Sequence, residues 1–387
     1  MLDVDDICSV IGAIDFKSNE AGYLGIDPYD ALSSPRLPAL LQYHGRLRQI
    51  ALQAAKRSPI DLRPALGVAP RRIVKALGLF ASGYAALHAA GWEGPAHERA
   101  QTLLAWLQAA RVPSGRGWAW GYEFDVQTRW AFYPAGTPNM IATAFTGNAF
   151  LDWYEQSSKE ELLATARGAA QYLEDELIVD VPRGEYFAYV PRATTLIHNA
   201  NALGAAFVAR VGHFTGEKEL VGLGHRAGQR ILQAQDESGL WPYGEGKNLG
   251  WIDGFHTAYV LDALYTLWQV SGDRALAESL RRGVNGYIER LFTAEGVPRY
   301  STSSLYPIDI HCASSAIDLF TRLGHLDQKY LVMAQRVLAW TIANMWDPEG
   351  FFHYQKTRWY TNKVNYIRWS QAHIFKAMTR MLRTMTT

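Results

Sequence analysis

Stretches of small and apolar residues alternate along this chain with stretches in which apolar residues recur every three or four positions. In the second kind, charged residues fill the remaining positions, which is typical of a helix that packs through one face. The first kind is apolar on all sides, as in a helix buried in a core. The alternation predicts helical hairpins, each built from one inner and one outer helix.

The apolar stretches share a polar or aromatic start, which indicates an internal repeat. Five starts are marked by Asn139, His198, His256, His311 and Arg368, separated by 59, 58, 55 and 57 residues. A sixth copy, RRIVKALGLFASGYAALHAAG, begins at Arg71. An amphipathic segment around residues 37–56 is expected to pair, as an outer helix, with this first inner helix.

Six hairpins predict an all-α fold of the (α/α)6 toroid class, with two concentric rings of helices. An open helical solenoid is the alternative, and we favour the toroid because six hairpins complete a ring. No low-complexity linker divides the chain, so we expect one domain over residues 1–387. Residues 1–35 are expected to form a non-repetitive N-terminal segment, since Pro, Gly, Asp and Ser in GYLGIDPYDALSSP mark turns.

Composition narrows the function classes. A hydrophobic fraction of 48% excludes general disorder, and a formal charge of +1 gives no global basic field for nucleic acid. No apolar run is long enough for a transmembrane helix. Two cysteines and an acidic N-terminus favour a cytoplasmic protein. The aromatic fraction of 12% suits cavities that bind sugars or isoprenoids.

The loops that lead into inner helices open on one face of a toroid, so residues at the helix starts converge in space. The candidate catalytic residues in these segments are Glu123, Asp125, Asp253, His256, Asp309 and His311. The candidate substrate-binding residues are Tyr122, Trp130, Asn139, His198, Asn199, Trp251, Tyr306, Tyr366 and Arg368.

Two Asp-His pairs at successive helix starts suggest general acid/base chemistry, because a carboxylate can orient an imidazole and stabilise its charged form. We expect His256 or His311 to transfer a proton, oriented by Asp253 or Asp309. The structural alternative is that Asn139 and both aspartates serve only as helix N-caps.

The remaining candidates suggest other roles. Glu123 and Asp125 could supply the two carboxylates of a glycosidase. Arg368 is expected to bind a sugar carboxylate or a phosphate through its planar fork. Asp309, His311 and a third histidine could bind zinc, but no CxxC or HExxH motif supports this alternative. We therefore expect no metal and no cofactor.

Several motifs carry a resemblance to known proteins. QAQDESGLW, from Gln233 to Trp241, resembles the repeats of prenyltransferase and squalene–hopene cyclase-like toroids. Together with GWIDGFHTAYVLDAL, YPIDIHCASSAI and NYIRWSQAHIFKA, it resembles bacterial proteins associated with surface-polysaccharide biosynthesis, a group without an assigned activity. The last motif also resembles a segment of six-hairpin glycosidases, with Trp369 and Ser370 in place of a glycine. The resemblance implies a toroid with a sugar-related role.

Three functions remain open. The leading one is a carbohydrate-active enzyme, a hydrolase, lyase or epimerase, whose partner is a surface-polysaccharide or uronate-containing glycan. The second is a terpene-cyclase-like or prenyl-binding toroid. The third is a non-catalytic glycan-binding or assembly protein. The carboxylates, amides and imidazoles at the helix starts favour a hydroxyl-rich ligand over a hydrocarbon.

Overall fold

The computed structural model describes residues 3–37, 44–128 and 131–386. Three helices precede the repeats: α1 (Val4–Glu20), α2 (Gly45–Arg57) and the short α3 (Arg63–Leu66). The inner helices are α4 (Val74–Ala89), α6 (Met140–Ser157), α8 (His198–Thr215), α10 (Gly254–Ser271), α12 (Ile310–Leu323) and α14 (His373–Thr386). The outer helices that follow them are α5 (Ala96–Ala109), α7 (Glu160–Tyr172), α9 (Lys218–Ala234), α11 (Arg274–Leu291) and α13 (Gln328–Met345).

The inner helices form a closed ring. Each packs against the next in chain order, and α14 returns to pack against α4. Each of the first five also packs against the outer helix that follows it in sequence. The prediction of an (α/α)6 toroid is therefore confirmed, and the open solenoid is excluded because the first and last inner helices are in contact.

The sixth outer helix is not the one that the sequence pattern suggested. α1 packs against α14 and completes the outer ring. The described part of the segment 37–56 lies in α2, whose Arg48 and Gln49 side chains instead bond to Gln127 and the Thr128 carbonyl. Leu52 and Ala55 of α2 pack in a small cluster separate from the main core. Its amphipathic pattern reflects that local cluster, so the predicted pairing with α4 was wrong.

Small residues allow the inner helices to approach closely. A Cβ atom built on Gly147 of α6 would lie 2.4 Å from the Phe207 ring of α8. A Cβ on Gly83 of α4 would lie 2.6 Å from the Phe375 ring of α14. These aromatic rings fill the space left by the missing side chains, which explains why the inner stretches combine glycine and alanine with large aromatic residues.

Short antiparallel strands occupy the loops between helices. They are β1 (Val112–Ser114), β2 (Gly117–Ala119), β3 (Val126–Gln127), β4 (Phe132–Tyr133), β5 (Ile178–Val179), β6 (Tyr186–Phe187), β7 (Ile308–Asp309), β8 (Trp346–Asp347), β9 (Phe351–Phe352), β10 (Gln355–Lys356) and β11 (Thr361–Asn362). β10 lies between β11 and β7 and pairs with both. This sheet holds the start of α12 beside the hairpin loop 357–360. Asp30–Ser33 forms a 3₁₀ turn, and π-helical turns span Leu173–Leu177 and Ile367–Ala372.

Among the described residues, no helix has the length and apolar character needed to cross a membrane. The extent of the domain over residues 1–387 stays a prediction.

Candidate active site

A cavity of about 800 Å³ opens at the N-terminal ends of the inner helices. Five inner helices, α4 to α12, and the π-helical turn before α14 contribute to its wall, through Lys75, Ile141, Asn199, His256, His311 and Arg368. These residues are far apart in sequence. They meet because the repeats point all of the inner helices in the same direction.

Aromatic rings and cations dominate the cavity wall. Among the described residues, nine tyrosines and three tryptophans line it. The cations at the wall are Lys56, Arg57, Lys75, Arg358 and Arg368, and the described lining residues include no aspartate or glutamate. The cavity therefore combines stacking surfaces with hydrogen-bonding hydroxyls and excess positive charge, and its histidines are the natural groups for proton transfer.

Asp253 and His256 form the Asp-His pair that the sequence pattern suggested. Asp253 caps α10, with Oδ1 accepting from the His256 backbone N–H at 2.9 Å, while Oδ2 lies 2.7 Å from Nδ1 of the same imidazole. The carboxylate is fully buried, and the His256 side chain is 20% exposed. Because Nδ1 is taken by Asp253, Nε2 is the ring nitrogen left for a ligand in the cavity.

His311 lies deeper and contacts Tyr259 rather than a carboxylate. Its Nε2 is 2.5 Å from the Tyr259 hydroxyl, which is also 3.4 Å from Nε2 of His373. Burial, with the charges of Lys75 and Arg368, holds the pKa of His311 well below its usual range. Burial also raises the pKa of Tyr259. The tyrosine therefore keeps its proton and donates it in a hydrogen bond to a neutral imidazole.

Asp309 does not orient the His311 ring, contrary to the predicted pairing. Its Oδ1 accepts from the His311 backbone N–H and from the Trp369 indole, at 2.8 and 2.9 Å. Its Oδ2 accepts from Gln355 at 2.6 Å. Asp309 is thus a helix cap that also holds two wall residues in place. With its oxygens bonded in this way and His311 Nε2 directed to Tyr259, the two residues do not form the zinc site considered above.

Glu123 and Asp125 are not a catalytic carboxylate pair, because neither is among the residues that line the cavity. Glu123 accepts from the Val74 backbone N–H at 2.9 Å, and burial raises its pKa to about 7. Asp125 accepts from the Ala135 backbone N–H at 2.8 Å and stabilises the loop around it. Both carboxylates organise backbone rather than face a ligand.

Three other candidates are structural. Asn139 caps α6 by accepting from the Ala142 backbone N–H at 2.9 Å. His198 does not line the cavity, and burial, with the charge of Arg230, lowers its pKa to about 4. Tyr366 is fully buried beneath Arg63 and beside Tyr354. These side chains point into the protein because the local turn geometry, which the repeat pattern does not encode, determines their direction.

Arg368 reaches the cavity wall, but its fork is already occupied. Nε and Nη2 donate to the two carboxylate oxygens of Asp27 at 2.6 and 2.7 Å, and both side chains are buried. The Nε–Nη2 edge of the guanidinium is therefore not available to a sugar anion, and a binding role for Arg368 stays a prediction. Asp27 lies 341 residues away in sequence, so the chain pattern gave no sign of this pair.

The remaining predicted binding residues contribute to the wall. Tyr122, Asn199, Trp251 and Tyr306 all line the cavity. The Asn199 Oδ1 atom is buried, with no hydrogen-bond partner among the described residues, which leaves it free to accept from a hydroxyl. Trp251 stacks on Tyr243 with ring centroids 4.3 Å apart. Trp130 lies outside the described residues.

The sequence analysis missed Lys75 and Tyr259. Lys75 is 3% exposed and lines the cavity. Its signal was present in the sequence, since RRIVKALGLFA has one charged residue within the apolar run of an inner helix. A charged residue is almost never fully buried unless it is paired or functional, so this lysine should have been a candidate.

A second cavity, of about 470 Å³, lies between the C-terminal halves of the inner helices. Tyr259 borders both cavities, and His373 lines the second. Its charged groups already pair with one another, as in the contacts of Arg210 with Asp152 at 2.7 Å and of Arg322 with Asp262 at 2.6 Å. This satisfied network makes the second cavity a weaker candidate site than the first.

Among the described residues, no group of three or more His, Cys, Asp or Glu side chains is arranged to hold a metal ion.

Comparison with known proteins identifies the fold. No model of a protein family matches the chain, and no curated protein matches it in sequence. The cellobiose 2-epimerase from Spirochaeta thermophila is a similar structure, with 16% identity, a TM-score of 0.63, and coverage of 90% of this chain and 98% of that chain. A possible member of the GH105 family from Salmonella enterica has 11% identity and a TM-score of 0.66, covering 99% and 95%.

A GH76 α-mannanase from Bacteroides thetaiotaomicron gives 12% identity and a TM-score of 0.64, covering 80% of this chain and 86% of that chain. At such identities the likeness shows the (α/α)6 toroid fold alone. These similar structures are not squalene–hopene cyclases, so that part of the sequence resemblance is not supported.

Proposed function

We propose that this protein is a carbohydrate-active enzyme that moves a carbon-bound proton of a sugar, as an epimerase or a lyase does. The observation that carries the proposal is His256, held by a buried carboxylate at the wall of an aromatic cavity with no acidic side chain among its described lining residues. Glycoside hydrolysis usually needs two carboxylates flanking the bond, and the described lining residues include none. Aromatic rings suit the faces of sugar rings. The glycosidase, epimerase and mannanase folds among the similar structures support the sugar assignment.

His256 is the proposed general base. Asp253 fixes its tautomer and stabilises the imidazolium that forms when Nε2 takes a proton. The Tyr259 hydroxyl is the proposed proton donor, and its short hydrogen bond to His311 Nε2 holds it in position. To complete the cycle, Tyr259 regains a proton from water in the open cavity and His256 releases its proton to water. The ring centroids of His256 and Tyr259 are 6.5 Å apart, so a single sugar carbon can lie within reach of both groups.

Isotope incorporation tests the reaction class. Neutral disaccharides and uronate-containing oligosaccharides are incubated with the protein in D₂O, and the recovered sugars are analysed by NMR and mass spectrometry. Proton transfer predicts deuterium at one inverted carbon for an epimerase, or loss of the hydrogen from one carbon and an unsaturated product for a lyase. Cleavage with ¹⁸O from labelled water and no carbon-bound deuterium would instead identify a hydrolase and refute the proposal.

The His256→Gln variant tests the base. Glutamine keeps a polar side chain of similar reach but cannot accept a proton in this way, so deuterium exchange should fall by about 10²–10⁴-fold. His225→Gln is the matched control, because His225 also contacts an aspartate, Asp273, but lies on outer helix α9 away from the cavity wall. Equal exchange rates in the two variants would exclude His256 as the base.

The cellular setting is also a proposal. We infer a single domain that acts in the cytoplasm on a surface-polysaccharide glycan, without a nucleic-acid partner. Free Cys8 and Cys312 fit a reducing compartment, and the net charge of +1 supports no general affinity for nucleic acid.

A further inference from the structure

Lys75 is a buried lysine without a paired anion. No described carboxylate lies within 4.0 Å of its Nζ, although the cavity wall is otherwise well ordered by hydrogen bonds. Nζ instead lies 4.0 Å from the centre of the Phe145 ring and 5.4 Å from that of Tyr259. Ring faces give only partial compensation for the hydration that a buried ammonium loses. At the deep end of the cavity, no described anion is therefore close enough to neutralise a charged Lys75.

Groups from every neighbouring element act on Lys75. The groups that face it are Tyr259 of α10, His311 of α12, His373 and Lys376 of α14, Arg368 of the π-helical turn, and Asp27 of the N-terminal segment. Asp27 is the acidic member of this set, and both of its carboxylate oxygens already accept from Arg368. The balance of these groups is thus positive or neutral, and none of them is an unpaired anion.

We propose that Lys75 binds the acid group of an acidic sugar at the deep end of the cavity. The assignment of the ligand as a sugar rests on the proposed function. One buried ammonium matches the single charge of a uronic acid carboxylate better than the charge of nearly two on a phosphate. Lys56, Arg57 and Arg358 lie elsewhere on the same wall. They attract anionic ligands towards the opening without being buried.

Ligand binding at Lys75 is coupled to proton uptake. Burial, with the nearby charge of Arg368, holds the pKa of Lys75 well below its ordinary value of 10.5. A carboxylate placed beside Nζ favours the ammonium and raises this pKa again. Where the free protein has a neutral amine and the complex an ammonium, binding takes up one proton. Affinity then falls by about tenfold for each unit rise in pH.

Titration calorimetry of the full-length protein tests the inference, with glucuronate, glucose and glucose 6-phosphate as probes. Measurements in buffers of different ionisation enthalpy count the protons taken up on binding. At alkaline pH, where the lowered pKa of Lys75 favours the neutral amine in the free protein, we expect glucuronate to bind with proton uptake and glucose to bind with none. Tighter binding of glucose 6-phosphate than of glucuronate would overturn the carboxylate assignment.

Lys75→Met is the critical variant, because methionine has a similar length and removes a buried charge at little cost to folding. We expect at least a tenfold loss of glucuronate affinity and no proton uptake, with glucose binding unchanged. Lys56→Met is the matched control, because Lys56 is a cation on the same wall but is only half-buried. This variant should still take up a proton when glucuronate binds. Lys75→Gln provides the same test if the methionine variant does not fold. Full glucuronate affinity in either Lys75 variant would overturn the proposal.

The same experiment separates this inference from the proposed function. Glucose binding and deuterium exchange without any Lys75-dependent anion binding would refute the inference and leave the sugar enzyme intact. Acetate serves as a probe without a sugar ring. The native protein could bind acetate with proton uptake, lose that uptake in Lys75→Met, and bind none of the sugars. This result would support the anion site and refute the proposed function.

Discussion

The Asp253→Asn substitution separates the two roles of Asp253. The aspartate caps α10 through Oδ1 and holds the His256 ring through Oδ2. Asparagine is as good an N-cap as aspartate, so its side-chain oxygen can keep the bond to the His256 backbone N–H. It carries no negative charge, and its amide cannot stabilise the imidazolium that forms when His256 accepts a proton.

The size of the effect follows from these contacts. A positioned base contributes about 10²–10⁴ in rate, which corresponds to about 3–5 kcal/mol of transition-state stabilisation at roughly 1.4 kcal/mol per factor of ten. We expect Asp253→Asn to lose much of this factor. The free energy of unfolding should change by less than about 1 kcal/mol, because the cap is retained.

Asp273 provides the matched control. It caps outer helix α11 by accepting from the Ala275 backbone N–H at 2.8 Å, and its other oxygen lies 2.7 Å from Nε2 of His225. Asp273→Asn therefore removes an aspartate of the same kind, away from the cavity wall. Deuterium exchange and thermal unfolding are measured for both variants. If exchange is equally fast in both, or if Asp253→Asn unfolds at a much lower temperature, Asp253 is a structural cap and the reasoning fails.

Three further predictions address other parts of the molecule. Burial raises the pKa of Glu123 to about 7, so the folded state holds this proton more tightly than the unfolded state does, and stability declines as pH rises from about 4.5 to 7. Glu123→Gln should abolish this decline, which is measured as the pH dependence of Tm. Arg368→Ala should lower the free energy of unfolding, measured by chemical denaturation, by about 3–5 kcal/mol, because it leaves the buried Asp27 carboxylate without its partner. Arg116→Ala removes an exposed arginine from an ion pair and should barely change this free energy. Equal losses in the two variants would contradict the prediction. Trp359→Ala should raise KM for longer glycans by about 2–10-fold, which corresponds to the energy of one stacking contact. Tm should not change, because Trp359 is 83% exposed at the cavity wall. An unchanged KM would show that no sugar stacks on this residue.

The sequence by itself determined the ring and the pairing of Asp253 with His256. Helical periodicity is a local property, so the alternation of apolar and amphipathic stretches was enough to predict six hairpins. The repeat then implied that the inner-helix starts converge, as they do in the cavity wall. Asp253 and His256 lie three residues apart across a helix start. That spacing places the carboxylate within reach of both the backbone and the ring.

Only the tertiary structure decided which side chains face the cavity and which partners they take. The outer ring closes with α1, from the opposite end of the chain to α14. Arg368 is bound by Asp27, and Asp309 by Gln355 and Trp369, across long separations in sequence. A local pattern specifies a helix and its apolar face, but not the loop geometry that aims a side chain. The partner of a buried charge is likewise fixed by the packing of elements from distant parts of the chain, because burial in a common interior is what makes pairing necessary.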